Sequence, residues 1–118
     1  MEKLNAVVEL LTESWRLNQF TRKLAVRLAD EKFQKKALNQ VARFDKHFLT
    51  VAEEFGLEVL DFTGAAFEEG LPIPPINLSD FAAEENLFVE AMLEPTIKIS
   101  GEASIIKRGA AILGRKVK

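Results

Sequence analysis

At 118 residues, with 47% apolar and 29% charged side chains, the chain has the composition of a folded protein and too little material for two large independent cores. It contains no cysteine, which excludes disulfides and thiolate chemistry, and its single histidine, His47, leaves no nitrogen and sulfur set for a metal. The net charge of −2 hides a segregation: residues 1–55 carry 10 basic and 8 acidic side chains, residues 56–97 carry 9 acidic and none basic, and residues 98–118 carry 6 basic and 1 acidic. Strands from the acidic and basic pieces are expected to pair, with opposite charges facing across a sheet. The sharper alternative is a basic docking edge. Few basic residues and no aromatics among them argue against nucleic acid as a partner.

The opening Met1-Glu2-Lys3 lacks the basic segment and apolar run of a secretory leader, and no apolar stretch approaches the roughly 20 residues that cross a bilayer. A cytoplasmic location, with no membrane contact, is the expectation.

From Leu4 to Phe55 there is no glycine or proline, and Leu, Ala, Glu, Lys, Arg and Gln dominate. Leu4, Val8, Leu11 and Trp15 recur at helical spacing, as do Val41, Phe44, Phe48, Val51 and Phe55, each set forming a heptad-like seam. Leu17, Phe20, Leu24 and Leu28 continue the stripe, which weakens across 30–36. Either one long amphipathic helix runs unbroken, roughly 75 Å at 1.5 Å per residue, or a turn near Ala29–Glu31 makes a helical hairpin. The long helix requires a partner helix, most simply from a second copy, so residues 1–55 read as a dimerisation arm and the chain as a homodimer. Leu4, Val8, Leu11, Trp15, Val41, Phe44 and Phe48 are the residues assigned to that contact. Trp15, Phe20, Phe44, Phe48 and Phe55 read as packing residues, and His47, with no nucleophile beside it, as a surface histidine.

Gly56 stands where the helical period stops, the position at which helices commonly end in a left-handed residue. Residues 56–118 read as a small antiparallel β-rich module, which makes the fold class α+β. Leu57, Val59 and Phe62 support a short strand closed by Thr63-Gly64. The run from Gly70 to Asn77 holds three prolines and is expected to be a surface connection. Ser79 or Asp80 is expected to cap one turn through Glu85. Strands follow over Leu87–Leu93 and Thr96–Ser100, then from Ile105 and over Ala110–Leu113, closing an antiparallel hairpin. The glycines are isolated and form no phosphate-cradling loop, so no cofactor or catalytic site is expected and the chain does not read as an enzyme.

The order of parts, with Phe55-Gly56-Leu57-Glu58, then Gly64-Ala65-Ala66-Phe67 and a terminal β-hairpin, resembles the GrpE family of nucleotide exchange factors for DnaK-type chaperones. In that family a long dimerising helix leads through a phenylalanine-glycine-valine step into a small β domain that opens with glycine-x-x-phenylalanine-aspartate-proline. Here Phe67-Glu68-Glu69 keeps the aromatic without the proline. Leu93-Glu94-Pro95-Thr96-Ile97-Lys98-Ile99-Ser100-Gly101 is similar to the family's hairpin strand, and Ile106-Lys107-Arg108-Gly109-Ala110-Ala111-Ile112 to the returning one. The resemblance covers residues 45–114. A Pro-rich segment replaces the family's histidine-glutamate-alanine-valine run, and Glu102 stands where an arginine often follows the hairpin glycine.

The resemblance implies a co-chaperone that promotes ADP release by contact with the chaperone's nucleotide-binding domain, without catalytic residues of its own. Phe67, Glu68, Glu69, Lys98, Lys107 and Arg108 are the partner-binding residues it points to. A dimeric scaffold or adaptor with the same fold and another protein partner is the alternative.

Overall fold

The computed structural model describes residues 2–68, 70–82 and 84–116. Contacts divide the chain into two compact units, residues 1–57 and 58–118. The fold is α+β, with two helices followed by small antiparallel sheets.

The first unit is a helical hairpin of α1 (Glu2–Val26) and α2 (Glu31–Glu54). Between them the chain turns at Asp30, whose extended backbone and side chain cap α2: its carboxylate accepts the Phe33 N–H at 3.0 Å. The Gln34 side chain donates to the Val26 carbonyl at 2.9 Å, covering one of the acceptors left open at the end of α1. The second helix ends at Gly56, which has φ of +68° and donates its N–H to Glu53 at 2.9 Å. That left-handed terminator is the one expected at this position.

The seam between the helices follows strict heptads, and they differ from the apolar stripe. On α1 the inward positions continue from Val8 and Leu11 through Trp15 to Asn18, Arg22 and Ala25; on α2 they are Leu38, Val41, Asp45, Phe48 and Ala52. Asn18 donates to the Asp45 carboxylate at 2.6 Å, and Arg22 pairs with its other oxygen, which places a polar layer mid-seam and fixes an antiparallel register. Leu17 and Leu24 therefore fall one position off the seam and Phe20 two, 66%, 52% and 59% exposed, against the expectation that they pack inward. Phe55 is also exposed, Phe44 rests beside Phe48 with ring centroids 6.1 Å apart, and Phe48 alone of these phenylalanines is buried.

In the second half β1 (Leu57–Leu60), β3 (Thr96–Ile99) and β4 (Ile105–Lys107) form one sheet in the order β1-β3-β4, and β2 (Leu87–Glu94) pairs with β5 (Ala110–Arg115) in another. Both β2 with β5 and β3 with β4 are antiparallel. The expected single terminal hairpin is thus one long ribbon that changes sheet at a corner. Pro95 breaks the outgoing strand, Arg108-Gly109 breaks the returning one, and two register shifts in β2 add to the bend.

The corner is closed by Thr96, which is fully buried: its hydroxyl accepts the Gly109 N–H at 3.0 Å and donates to the Pro72 carbonyl at 3.0 Å. Gly109 has no room for a side chain, since a Cβ there would lie 2.5 Å from the Glu94 carbonyl oxygen. Lys107 and Glu94, 2.9 Å apart, pair across the same corner.

Two segments outside the named strands extend the second sheet. Residues 64–67 pair with the first half of β2, through Gly64 and Phe67 donating to Val89 and Leu87 and Val89 donating to Ala65. On the β5 side, Pro75 bridges Ala111, Ile76 donates to the Ala111 carbonyl at 3.0 Å, and the Asn77 carboxamide exchanges two hydrogen bonds with the Leu113 backbone.

The Pro-rich run is a connection at the surface, as expected, with Pro74 and Ile76 exposed, but it is tied to the sheet: the Pro72 carbonyl accepts from Thr96 and Ile73 is buried. With its side chain committed to Leu113, Asn77 makes no side-chain cap to the helix it precedes. The turn expected through Glu85 accordingly shortens to a single 3₁₀ turn, Leu78–Asp80, and Phe81 is already extended.

Candidate functional site

Charge segregation along the chain resolves into ion pairs. Lys98 lies 3.7 Å from Glu58, Lys107 2.9 Å from Glu94, and Arg115 2.6 Å from Glu85. Each joins a cation of the basic C-terminal piece to a carboxylate of the acidic middle piece, as expected from composition. The pairs are partly solvated, so each contributes little to stability, but together they engage three of the six cations of what would have been a basic edge.

The partner-binding residues fall in two places. Phe67, half-buried, and Glu68, exposed, line a cleft of about 630 Å³ in the second unit, opposite Leu78 and Phe81 and near Lys116. The strand-like pairing of 64–67 with β2 sets the Phe67 backbone there. Lys98 and Lys107 lie instead on the other sheet, both half-buried; Lys98 also donates to the Glu102 carbonyl at 2.8 Å. Arg108, at the ribbon corner, is exposed. Glu69 lies outside the described residues.

Three residues that sequence reasoning missed shape the cleft's rim. The Arg115 guanidinium lies 4.9 Å from the centroid of the Phe81 ring while donating to Glu85, and the second Glu85 oxygen accepts the Ala82 N–H at 2.9 Å. The signal available was the charge pattern, which pointed to such pairs without naming their members.

Arg115, and after it the Ala82 N–H, holds the Glu85 carboxyl below its ordinary value of 4.5. A lowered folded-state value means that the native chain binds this proton less readily than the unfolded one. The contribution to stability is present above about pH 4.5 and is lost as the pH falls through the lower, native value. Glu85→Gln should therefore be less stable than the parent at pH 7, and the gap should narrow in urea unfolding as the pH is lowered below 4.5. A gap that stays constant would contradict the assignment.

Of the residues assigned to a dimer contact, Val8, Leu11, Val41 and Phe48 are buried within the single chain, Leu4 and Trp15 are half-buried, and only Phe44 is exposed, at 40%. Closure of the hairpin brings the two stripes onto one chain's own seam, which is why a face built from these residues is not open to a second copy. Apolar side chains that stay open on this unit include Leu17, Phe20, Leu24 and Phe44, as well as Leu10, Leu49 and Val51, and Leu17, Thr21, Gln40 and Phe44 line a shallow dent.

Among the described residues no three His, Cys, Asp or Glu side chains cluster to hold a metal, and no helix is long and apolar enough to cross a membrane. No family model, curated protein or solved structure matches the chain.

Proposed function

We propose that the chain is a GrpE-like co-chaperone that promotes ADP release from a DnaK-type chaperone through protein contact. The observation that carries this reading is the coincidence of motif and junction. Phe55-Gly56 is the helix stop, Gly64-Ala65-Ala66-Phe67 is the segment that joins the sheet beside β2, and Gly101 has positive φ in the connection between β3 and β4. The resembled family carries its phenylalanine-glycine step, its glycine-x-x-phenylalanine opening and its hairpin glycine in the same order.

In this reading the second unit binds the open form of the chaperone's nucleotide-binding domain more tightly than the closed form. That difference in affinity alone accelerates release. Phe67, Glu68 and Arg108 are the contacts that are accessible for it. The exposed stripe of Leu17, Phe20, Leu24 and Phe44 pairs with a second copy, and the mass in solution is then twice 13.2 kDa.

A second reading, a dimeric adaptor with another protein partner, is favoured by the ion pairs. Lys98 and Lys107 are engaged by Glu58 and Glu94 of the same chain, so two of the four charged contacts the resemblance suggested among described residues are not free for a chaperone.

Arg108→Glu tests the contact that the first reading assigns to the ribbon corner. It reverses an exposed charge without touching the Lys107 to Glu94 pair. The exchange-factor reading expects nucleotide release to slow by about tenfold, the scale of one lost charged contact across an interface. Unchanged acceleration would remove Arg108 from the contact.

A further inference from the structure

The second sheet has two outer edges, and they differ. On the β5 side the outermost segment holds Pro74 and Pro75, which have no N–H to offer a further strand. On the β2 side the outermost segment is 64–67, without proline or lysine. Its bonds to β2 run through the Ala65 carbonyl and the Phe67 N–H, on either side of the Ala66 to Phe88 bridge. Ala66 is therefore a non-hydrogen-bonded position of that ladder, and its own N–H and C=O point away from β2. Among the described residues no backbone group bonds to either of them.

The cleft of about 630 Å³ opens beside this edge: Ala66, Phe67 and Glu68 line it together with Leu78, Phe81 and the buried Leu87. That is a size that takes large side chains. Its charge is one-sided. Arg115 is held by Glu85 beside the Phe81 ring, so that pair is neutral. Glu68 lines the cleft, Asp80 precedes Phe81 and Glu84 precedes Glu85. All three are exposed, and none pairs with a cation among the described residues. Lys116 is the cation set against them.

We propose that this edge and cleft bind an extended peptide segment that carries a large apolar side chain, Phe or Leu, between basic residues. The segment adds as a strand beside 64–67 and exchanges hydrogen bonds with the Ala66 N–H and C=O. Its apolar side chain fills the space between Phe67 and Phe81, and its Lys or Arg neighbours meet Glu68, Asp80 and Glu84. A free apolar compound would use the walls but neither the strand edge nor the carboxylates. The site shares Phe67 and Glu68 with the chaperone reading but goes beyond that reading and does not rest on it.

The test is fluorescence anisotropy of the full chain with a labelled hexapeptide, Lys-Val-Phe-Lys-Val-Arg, capped at both ends. No chaperone is present, so the outcome is independent of nucleotide release. Saturable binding is expected, weakened by at least about tenfold when the basic residues of the peptide become Glu. N-methylation of one alternate set of peptide amides, the set that faces the edge, should weaken it as much, while the other set tolerates the change. Glu68→Lys with Asp80→Lys, both exposed positions, should weaken the basic peptide by about tenfold.

Amide shifts on binding should concentrate at Ala66, Phe67, Glu68, Phe81 and Leu87, and the Ala66 amide should gain protection from exchange. Absence of saturable binding, or equal affinity for the acidic peptide, would overturn the proposal. So would tolerance of both N-methylated sets, which removes strand addition. Shifts confined to the exposed Leu17, Phe20 and Leu24 of the first unit would likewise place the peptide elsewhere and sink the idea.

Discussion

Phe48→Ala is expected to lower the unfolding free energy of the helical hairpin by about 3–5 kcal/mol, a large share of the stability of a domain this size. Phe48 is 8% exposed, sits on the seam between the helices, and carries Phe44 against its ring. Truncating it removes apolar burial and leaves a void that the flanking Val41 and Ala52 are too small to fill. Phe20→Ala is the control. Its ring is 59% exposed, so the same truncation should change stability by under about 0.5 kcal/mol. Urea unfolding of both variants, followed by helical signal, measures the difference. Equal losses would mean that the seam runs through the apolar stripe instead of through Asn18 and Asp45.

Thr96→Val should cost about 2–4 kcal/mol although valine matches threonine in shape. The change creates no cavity, but it strips the Gly109 N–H and the Pro72 carbonyl of their shared partner in a fully buried place. Each orphaned group costs on the order of 1–3 kcal/mol. Thr96→Ser keeps both bonds and loses one methyl, so it should cost only about 1 kcal/mol. Hydrogen exchange gives an independent reading: the Gly109 amide should lose protection in the valine variant and keep it in the serine variant. A valine variant as stable as the parent would show that the ribbon corner is held by its glycine and proline geometry alone.

These two positions also mark what the sequence could and could not reveal. The helices, the stop at Gly56 and the approximate strands were legible, because a 3.6-residue period, a glycine terminator and alternation are local signals. The choice between a hairpin and one long helix was not. The turn is made by side-chain caps at Asp30 and Gln34, and neither residue type breaks a helix. The seam was legible at Val8, Leu11, Trp15, Val41 and Phe48, and only its continuation along α1 was misplaced, for a related reason. Apolar residues at Leu17, Phe20 and Leu24 suggested one face, whereas the polar trio of Asn18, Arg22 and Asp45 had to come together across the two helices to be satisfied.

In the second unit the Pro-rich run looked like a surface connection because prolines lack donors. What the pattern did not show were the contacts that tie it down: the Pro72 carbonyl under Thr96, Ile73 in the core, and Asn77 imitating a strand beside β5. Such contacts join residues 24 and 36 positions apart, beyond the reach of local pattern.

The candidate site was legible in part. Segregated charge foretold pairs such as Lys107 with Glu94, and those pairs in turn narrow the partner surface. Phe67 and Glu68 entered only through resemblance, and their place in the cleft depends on Phe81, Glu85 and Arg115, which no motif singled out.

The central claim concerns nucleotide release, and it is tested most directly on a DnaK-type chaperone loaded with fluorescent ADP. Stopped-flow dissociation is followed with increasing amounts of this chain. The account predicts a release rate that rises with concentration and saturates, by at least tenfold over the chaperone alone, since an exchange factor must favour the open state by more than about 1.4 kcal/mol to act. An unchanged rate at saturating chain, with the chain shown by its urea transition to be folded, would contradict it.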